Sequence, residues 1–317
     1  MISLSEHYRN TLSKQNLNAG ELPDNLYFTF CGDILGSSGE HYAKGPRDIS
    51  LERAARKALP HYSDDFSESL AMHQLSDRQW NTDLNSLIEN RDVFLDLIRQ
   101  HYFAYGAQYS PWAAALFEET SVERYGVLIA RHSSCGAAMR AAALAPHKLA
   151  DEQMLPFFLI THANIQAVEG AYIIESFARA AMKGMPYKTC MQIAEQKAIL
   201  ARKMTRQFLE ENSLPVVRDI NVMDAIKTVL DTGDPYAGIS KIKEDGIETH
   251  FVVASAFYLL SNLECDEAET NGTRSIIEGG LKIGGDPDTI CSIAMTLYGL
   301  LYPEKAKKEL DNISIIS

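Results

Sequence analysis

The chain lacks any apolar run approaching the roughly 18–20 residues that a helical membrane span requires. Its first ten residues, Met1-Ile2-Ser3-Leu4-Ser5-Glu6-His7-Tyr8-Arg9-Asn10, also lack the apolar core of a secretory signal. Cysteine is sparse: Cys31, Cys135, Cys190, Cys265 and Cys291 are odd in number and widely scattered, with no CxxC pair. Neither a zinc site nor a disulfide framework is indicated, and a reducing cytosol is the expected home. Positive charge is in deficit, with 30 Lys and Arg against 42 Asp and Glu and a formal net charge of −12. That balance argues against general binding to nucleic acid or anionic membrane. It leaves room for a small anionic ligand held by local backbone donors.

Several chemical signatures are missing too. No G-x-x-x-x-G-K-[ST] loop is present, nor a G-x-G-x-x-G after a strand, so nucleoside triphosphate and dinucleotide folds lose support. Neither H-E-x-x-H nor a G-x-S-x-G elbow occurs, and adjacent His-Asp pairs of the metal phosphohydrolase type are absent. Runs of alternating β-branched residues are lacking as well, which disfavours a sheet-based domain.

Helical periodicity fills the chain instead. Phe94, Ile98 and Tyr102 form one apolar face. Val168, Ala171, Ile174, Ala178 and Ala181 form a second, and Leu200, Met204 and Phe208 a third. Residues 248–263 read as a further helix. Breakers at Lys183-Gly184-Met185-Pro186, at Pro215 and in the loop Asp231–Gly238, which reads as a surface loop, separate the helices without reaching the length of an interdomain linker. With 317 residues and 46% hydrophobic composition, the chain can bury a substantial core in one large domain or two smaller ones, placed over 26–317 behind a polar arm over 1–25.

Two acidic clusters stand out against this background. One is Ser63-Asp64-Asp65; the other is Asp286-Pro287-Asp288-Thr289, preceded by Gly284-Gly285. Each offers closely spaced carboxylate and hydroxyl oxygens, the hard ligands that Mg²⁺ prefers. If the fold joins them, their like charge demands cations between them. The simpler alternative is that each is a helix start. Asp65 with Glu68 three residues on fits a capping box, and Asp286 before Pro287 fits an N-cap with proline at the first helical position. A cap, however, uses one side-chain oxygen, and each cluster carries three oxygen-bearing side chains.

Three further segments read as loops between helices. Gly32-Asp33-Ile34-Leu35-Gly36-Ser37-Ser38-Gly39-Glu40 has glycines that permit close backbone approach to a ligand, with Glu40 as a possible base. Ser133-Ser134-Cys135-Gly136-Ala137-Ala138-Met139-Arg140 places small residues where a helix opens, a ready phosphate cradle or a close helix contact. Thr161-His162-Ala163-Asn164 starts the long helix of the Val168 stripe, where a lone histidine is more often a capping or buried hydrogen-bonding residue than a catalyst.

Taken in order, these segments resemble the ADP-ribosylglycohydrolase family, which includes ADP-ribosylhydrolases and dinitrogenase reductase-activating glycohydrolase. The resemblance spans about residues 28–303. It implies an all-α, orthogonally packed globule with a cleft holding two Mg²⁺ ions, with Mn²⁺ as a substitute. By it, Ser63, Asp64, Asp65, Asp286, Asp288 and Thr289 look like the metal ligands, with Asp288 also essential to catalysis, and Glu40 like the acid that helps activate water. Ser134, Cys135, Gly136, Ala137, Met139 and His162 look like parts of the ADP-ribose site. Three positions depart from the family pattern. Ser63 and Phe66 replace the threonines of a usual Thr-Asp-Asp-Thr, and Cys135 stands where many members carry Asn.

The implied activity is hydrolysis of the glycosidic bond in ADP-ribosylated substrates, a modified protein first among them, by a monomer without membrane or nucleic-acid partners. A non-catalytic ADP-ribose-binding protein on the same fold and a hydrolase of a small ADP-ribose-like metabolite are the rival expectations.

Overall fold

Caps and breakers set the element boundaries in a computed structural model, which describes residues 2–37, 50–57, 64–101, 111–234, 246–264 and 271–315. Sixteen α-helices occur among these residues. The first half carries α1 (Leu4–Lys14), α2 (Asp24–Gly36), α3 (Leu51–Lys57), α4 (Asp64–Leu75), α5 (Leu84–His101), α6 (Pro111–Glu118), α7 (Val122–Arg131) and the single turn α8 (Gly136–Met139). A 3-10 turn, Ala141–Leu144, follows, and then α9 (Asp151–Leu159) and α10 (Ile165–Met182). The rest is α11 (Tyr187–Glu211), α12 (Val222–Thr232), α13 (Thr249–Glu264), α14 (Gly272–Ile283), α15 (Pro287–Leu301) and α16 (Pro303–Asp311). The all-α expectation holds. The one sheet among the described residues is a two-stranded antiparallel pair, Ile2–Ser3 with Ser314–Ile315. None of the described helices is long and apolar enough to cross a membrane.

Helix α10 is the centre of the fold. It buries residues around its whole circumference, Val168, Ala171, Ile174 and Ala178 among them, as a core helix must. It packs against α8, α9, α11, α12, α13 and α15. Asn164 starts it by accepting the Gln166 N–H at 3.1 Å. Against it, α11 presents Cys190, Ala194, Ala198, Ala201, Thr205 and Phe208. Small side chains let the two helices come close, so the seam runs along alanines. Leu200 and Met204, expected on the buried face with Phe208, are only half-buried at its edge. Tyr102, expected on the face of Phe94 and Ile98, lies outside the described residues, as do residues 235–238 of the loop Asp231–Gly238.

A second helix pair, α2 with α15, positions the acidic residues. Gly32 and Gly36, read from sequence as loop glycines facing a ligand, are helical. Four residues apart, they share one face of α2. A Cβ at Gly32 would stand 2.5 Å from the Cys291 carbonyl oxygen, and one at Gly36 would stand 2.6 Å from the Asp288 Cα. The glycines therefore admit the backbone of α15 rather than a ligand. Polar contacts clasp the same seam: Thr29 Oγ1 and Thr296 Oγ1 lie 2.8 Å apart, and Ser292 Oγ donates to the Thr29 carbonyl at 3.4 Å.

Residues 2–25, expected as a polar arm, join the globule. Helix α1 buries Leu4, Tyr8 and Leu12, and Ile2 pairs with Ile315.

Candidate functional site

Both acidic clusters sit at helix starts, and the tertiary fold brings them together. Asp65 is the second residue of α4, and Thr289 the third of α15. Thr289 Oγ1 donates to Asp65 Oδ1 at 3.1 Å, joining residues 224 positions apart. Asp65, Asp288 and Thr289 are all buried. Asp286 precedes α15 as its N-cap residue but makes no side-chain capping bond. Its Oδ2 instead accepts the Cys135 thiol proton at 3.0 Å. Glu68 does not close a capping box with Asp65 either: it pairs with Arg140 at 2.8 Å. The side chains of Asp286 and Glu68 are thus claimed by distant partners rather than by their own helix starts.

Glu40 and Ser63 lie outside the described residues, as does the side chain of Asp64. Among the described residues, no group of three or more His, Cys, Asp and Glu side chains stands ready to hold an ion. The residues present nevertheless fit hard cations in their chemistry. Asp288 Oδ1 is buried and has no hydrogen-bond partner among the described residues. A buried carboxylate oxygen left so is costly unless a cation or a water meets it. The neighbouring donors, from Asp65, Asp286 and Thr289, are all oxygens. Their charge is felt locally: burial, and after it the Asp286, Asp65 and Asp288 carboxylates, push the Cys135 thiol well above its ordinary range. The thiol is a neutral donor to Asp286, not a thiolate.

The clusters are held from behind. Buried Asp33, on α2, accepts the Phe66 N–H at 3.2 Å and so fixes the start of α4. The Phe66 ring points into an aromatic cluster, 5.2 Å from Phe30 and 6.0 Å from Tyr8, so this departure fills the core. Before α15, Gly284 and Gly285 have φ of 74° and 79°, a region glycine enters freely.

The 133–139 loop stands beside the acids. The Cys135 N–H bonds to the Ile247 carbonyl at 2.9 Å, and Thr249 Oγ1 donates to the carbonyls of Ser133 and Ser134 at 2.9 and 2.7 Å. Glu248 accepts from Ser133 Oγ at 3.0 Å and from Gln166 Nε2 at 2.6 Å. The expected helix opening is a single turn, α8, so its dipole is slight. The Ala138 and Met139 N–H groups both bond to the Cys135 carbonyl. Gly136 and Ala137, the first residues of the turn, are then the candidate backbone donors to an anion.

His162 is buried beneath this turn. A Cβ on Gly136 would stand 2.9 Å from its Cε1. Its Nδ1 lies 2.7 Å from Thr161 Oγ1 and its Nε2 3.1 Å from Ser134 Oγ. The His132 ring stacks on it, with centroids 4.0 Å apart. Burial, then the neighbouring His132 and Arg140, hold His162 well below the usual histidine range. Burial lowers His132 to about 3. Both imidazoles are neutral at physiological pH.

The sequence reading gave no role to Asp33, Arg140, Thr161, Glu248 or Thr249, and did not single out His132. His132 had a signal, standing two residues before Ser134. Glu248 and Thr249 had none, because over a hundred residues separate them from the loop they pin.

Comparisons with known proteins agree with this fold. The ADP-ribosylglycohydrolase family model matches residues 26–310. Thirty-four chains of solved structures match as well. One, an ADP-ribosylglycohydrolase-related protein complex, is similar with a TM-score of 0.53 and 17% identity over 91% of this chain and 96% of that chain, a likeness of fold. No curated protein matches.

Proposed function

Since the chain belongs to the ADP-ribosylglycohydrolase family, we propose that it hydrolyses the glycosidic bond between ADP-ribose and a modified side chain, protein being the foremost substrate. The observation that carries the reading is the meeting of the two acidic clusters, with Thr289 on Asp65 and a buried Asp288 oxygen that no described residue answers. Ser63, Asp64, Asp65, Asp286, Asp288 and Thr289 would hold two Mg²⁺ ions, or Mn²⁺ in their place. When bound, these would neutralise the carboxylates and polarise the ribose oxygens.

The chain's own residues do the rest. Glu40 accepts a proton of the attacking water as its oxygen bonds to the ribose carbon, and the departing side chain takes up a proton as its bond to ribose breaks. The Gly136 and Ala137 N–H groups receive the pyrophosphate. His162, neutral and buried, supports that turn from below rather than supplying charge.

Release of ADP-ribose from arginine-, serine- and glutamate-linked substrates, with Mg²⁺ or with chelator, tests the proposal. The expected result is Mg²⁺-dependent release from one linkage and a loss of about 100-fold or more in Asp288→Asn, since even indirect disturbance of a metal site costs 10–100-fold. Wild-type turnover in that variant would sink the mechanism.

A further inference from the structure

We infer that His132 is a positioning residue: by accepting the Ser134 hydroxyl proton it makes Ser134 an acceptor toward His162, and so sets which His162 nitrogen carries hydrogen. The argument is a chain of donors with only one consistent direction. His132 Nδ1 lies 3.4 Å from the Thr161 carbonyl oxygen. A carbonyl only accepts, so Nδ1 carries the hydrogen and, in a neutral ring, Nε2 is an acceptor. The group facing that Nε2, at 3.0 Å, is Ser134 Oγ. Its single proton is therefore spent on His132.

The contact at 3.1 Å between Ser134 Oγ and His162 Nε2 must then run the other way, with His162 donating. That leaves His162 Nδ1 as an acceptor, 2.7 Å from Thr161 Oγ1. Thr161 can donate there because its lone pair takes the Arg140 Nη2–H. The far end agrees: Arg140 is always a donor, and it is anchored by Glu68 at 2.8 Å and by the Gly136 carbonyl at 2.8 Å. The order is thus Arg140 to Thr161 to His162 to Ser134 to His132, ending on the Thr161 carbonyl.

The consequence bears on ligand recognition, and here it rests on the proposed nucleotide role of the loop. With its proton committed to His132, the Ser134 hydroxyl can meet a ligand only as an acceptor. It suits a ribose hydroxyl or a bridging water, while phosphate oxygens fall to the backbone N–H groups of Gly136 and Ala137.

Histidine-ring ¹⁵N NMR at pH 7, on wild type, His132→Phe and His132→Gln, tests the order. Phe keeps the stack and loses the acceptor, whereas Gln places an oxygen near the former Nε2. Wild type should show His132 protonated at Nδ1 and His162 at Nε2. In His132→Phe the freed Ser134 proton should turn to His162, moving its hydrogen to Nδ1, and His132→Gln should restore Nε2–H. ADP-ribose affinity by calorimetry should fall about tenfold in the Phe variant, the scale of one hydrogen bond, and recover in the Gln variant.

A wild-type His162 protonated at Nδ1, or one unmoved by His132→Phe, would overturn the inference, and the wild-type spectrum alone decides if a variant fails to fold. The expected tautomers without any ADP-ribose binding would uphold the hydrogen-bond order and remove the nucleotide reading instead.

Discussion

Phe66 and Cys135, two of the residues that depart from the family pattern, lead to different places. Phe66 turns away from the acids into the cluster of Tyr8 and Phe30, and its backbone N–H still serves Asp33. Cys135 stays at the site as a neutral thiol donor to Asp286. The neutral histidines bear on stability. His132 has a folded value near 3 against 6.5 unfolded, and His162 shifts the same way. The unfolded chain therefore binds more protons between these values, so this contribution is complete above about pH 6.5 and is lost as pH falls toward 3. Each such histidine adds a slope of up to about 1.4 kcal/mol per pH unit in that window. Buried Glu68, raised by desolvation, works in the opposite sense. The difference between wild type and His132→Gln isolates the histidine. Urea midpoints from pH 7 to 4 should converge as pH falls, and parallel curves would contradict the assignment.

At the scale of elements, the site depends on how closely α2 meets α15. A side chain at Gly36 would drive into the Asp288 Cα and the Pro287 carbonyl oxygen, 2.6 and 2.7 Å away, and backbone cannot rotate aside as a side chain can. Gly36→Ala should push the start of α15 outward, carrying Asp286, Asp288 and Thr289 with it. A displacement near 1 Å is enough to cost about 100-fold in turnover, and overpacking should lower stability by about 1–3 kcal/mol. Thermal melts and Mg²⁺-dependent ADP-ribose release measure both. Full activity in this variant would mean the seam does not position the acids. Helices α10 and α11 use alanines for the same purpose, with Ala194, Ala198 and Ala201 of α11 along their contact.

For the whole molecule, the ends of the described chain are tied together. Ile2 pairs with Ile315, Leu4 N bonds to the Ile313 carbonyl at 3.4 Å, and Tyr8 packs toward the start of α4 through Phe66. Deleting residues 1–15 should therefore destabilise the entire fold, by roughly 1.5–3 kcal/mol for each of the buried Leu4, Tyr8 and Leu12. A clear drop in the urea midpoint is expected. An unchanged midpoint would make this segment a separate arm.

Local chemistry was legible in the sequence by itself. The 3.6-residue spacing of Val168, Ala171, Ile174 and Ala178 marked a core helix, Asp286-Pro287 marked where α15 begins, and the oxygen-rich clusters marked themselves by carrying more acids than a cap can use. The order of segments was enough to name the family. Tertiary structure alone decided what each of those groups touches. Thr289 reaches Asp65, Cys135 reaches Asp286, and Glu68 reaches Arg140 instead of its own helix start, because these contacts join distant positions and leave no local pattern. It also decided that Gly32 and Gly36 face another helix, since a glycine records only that something comes close, and the packing determines what that is.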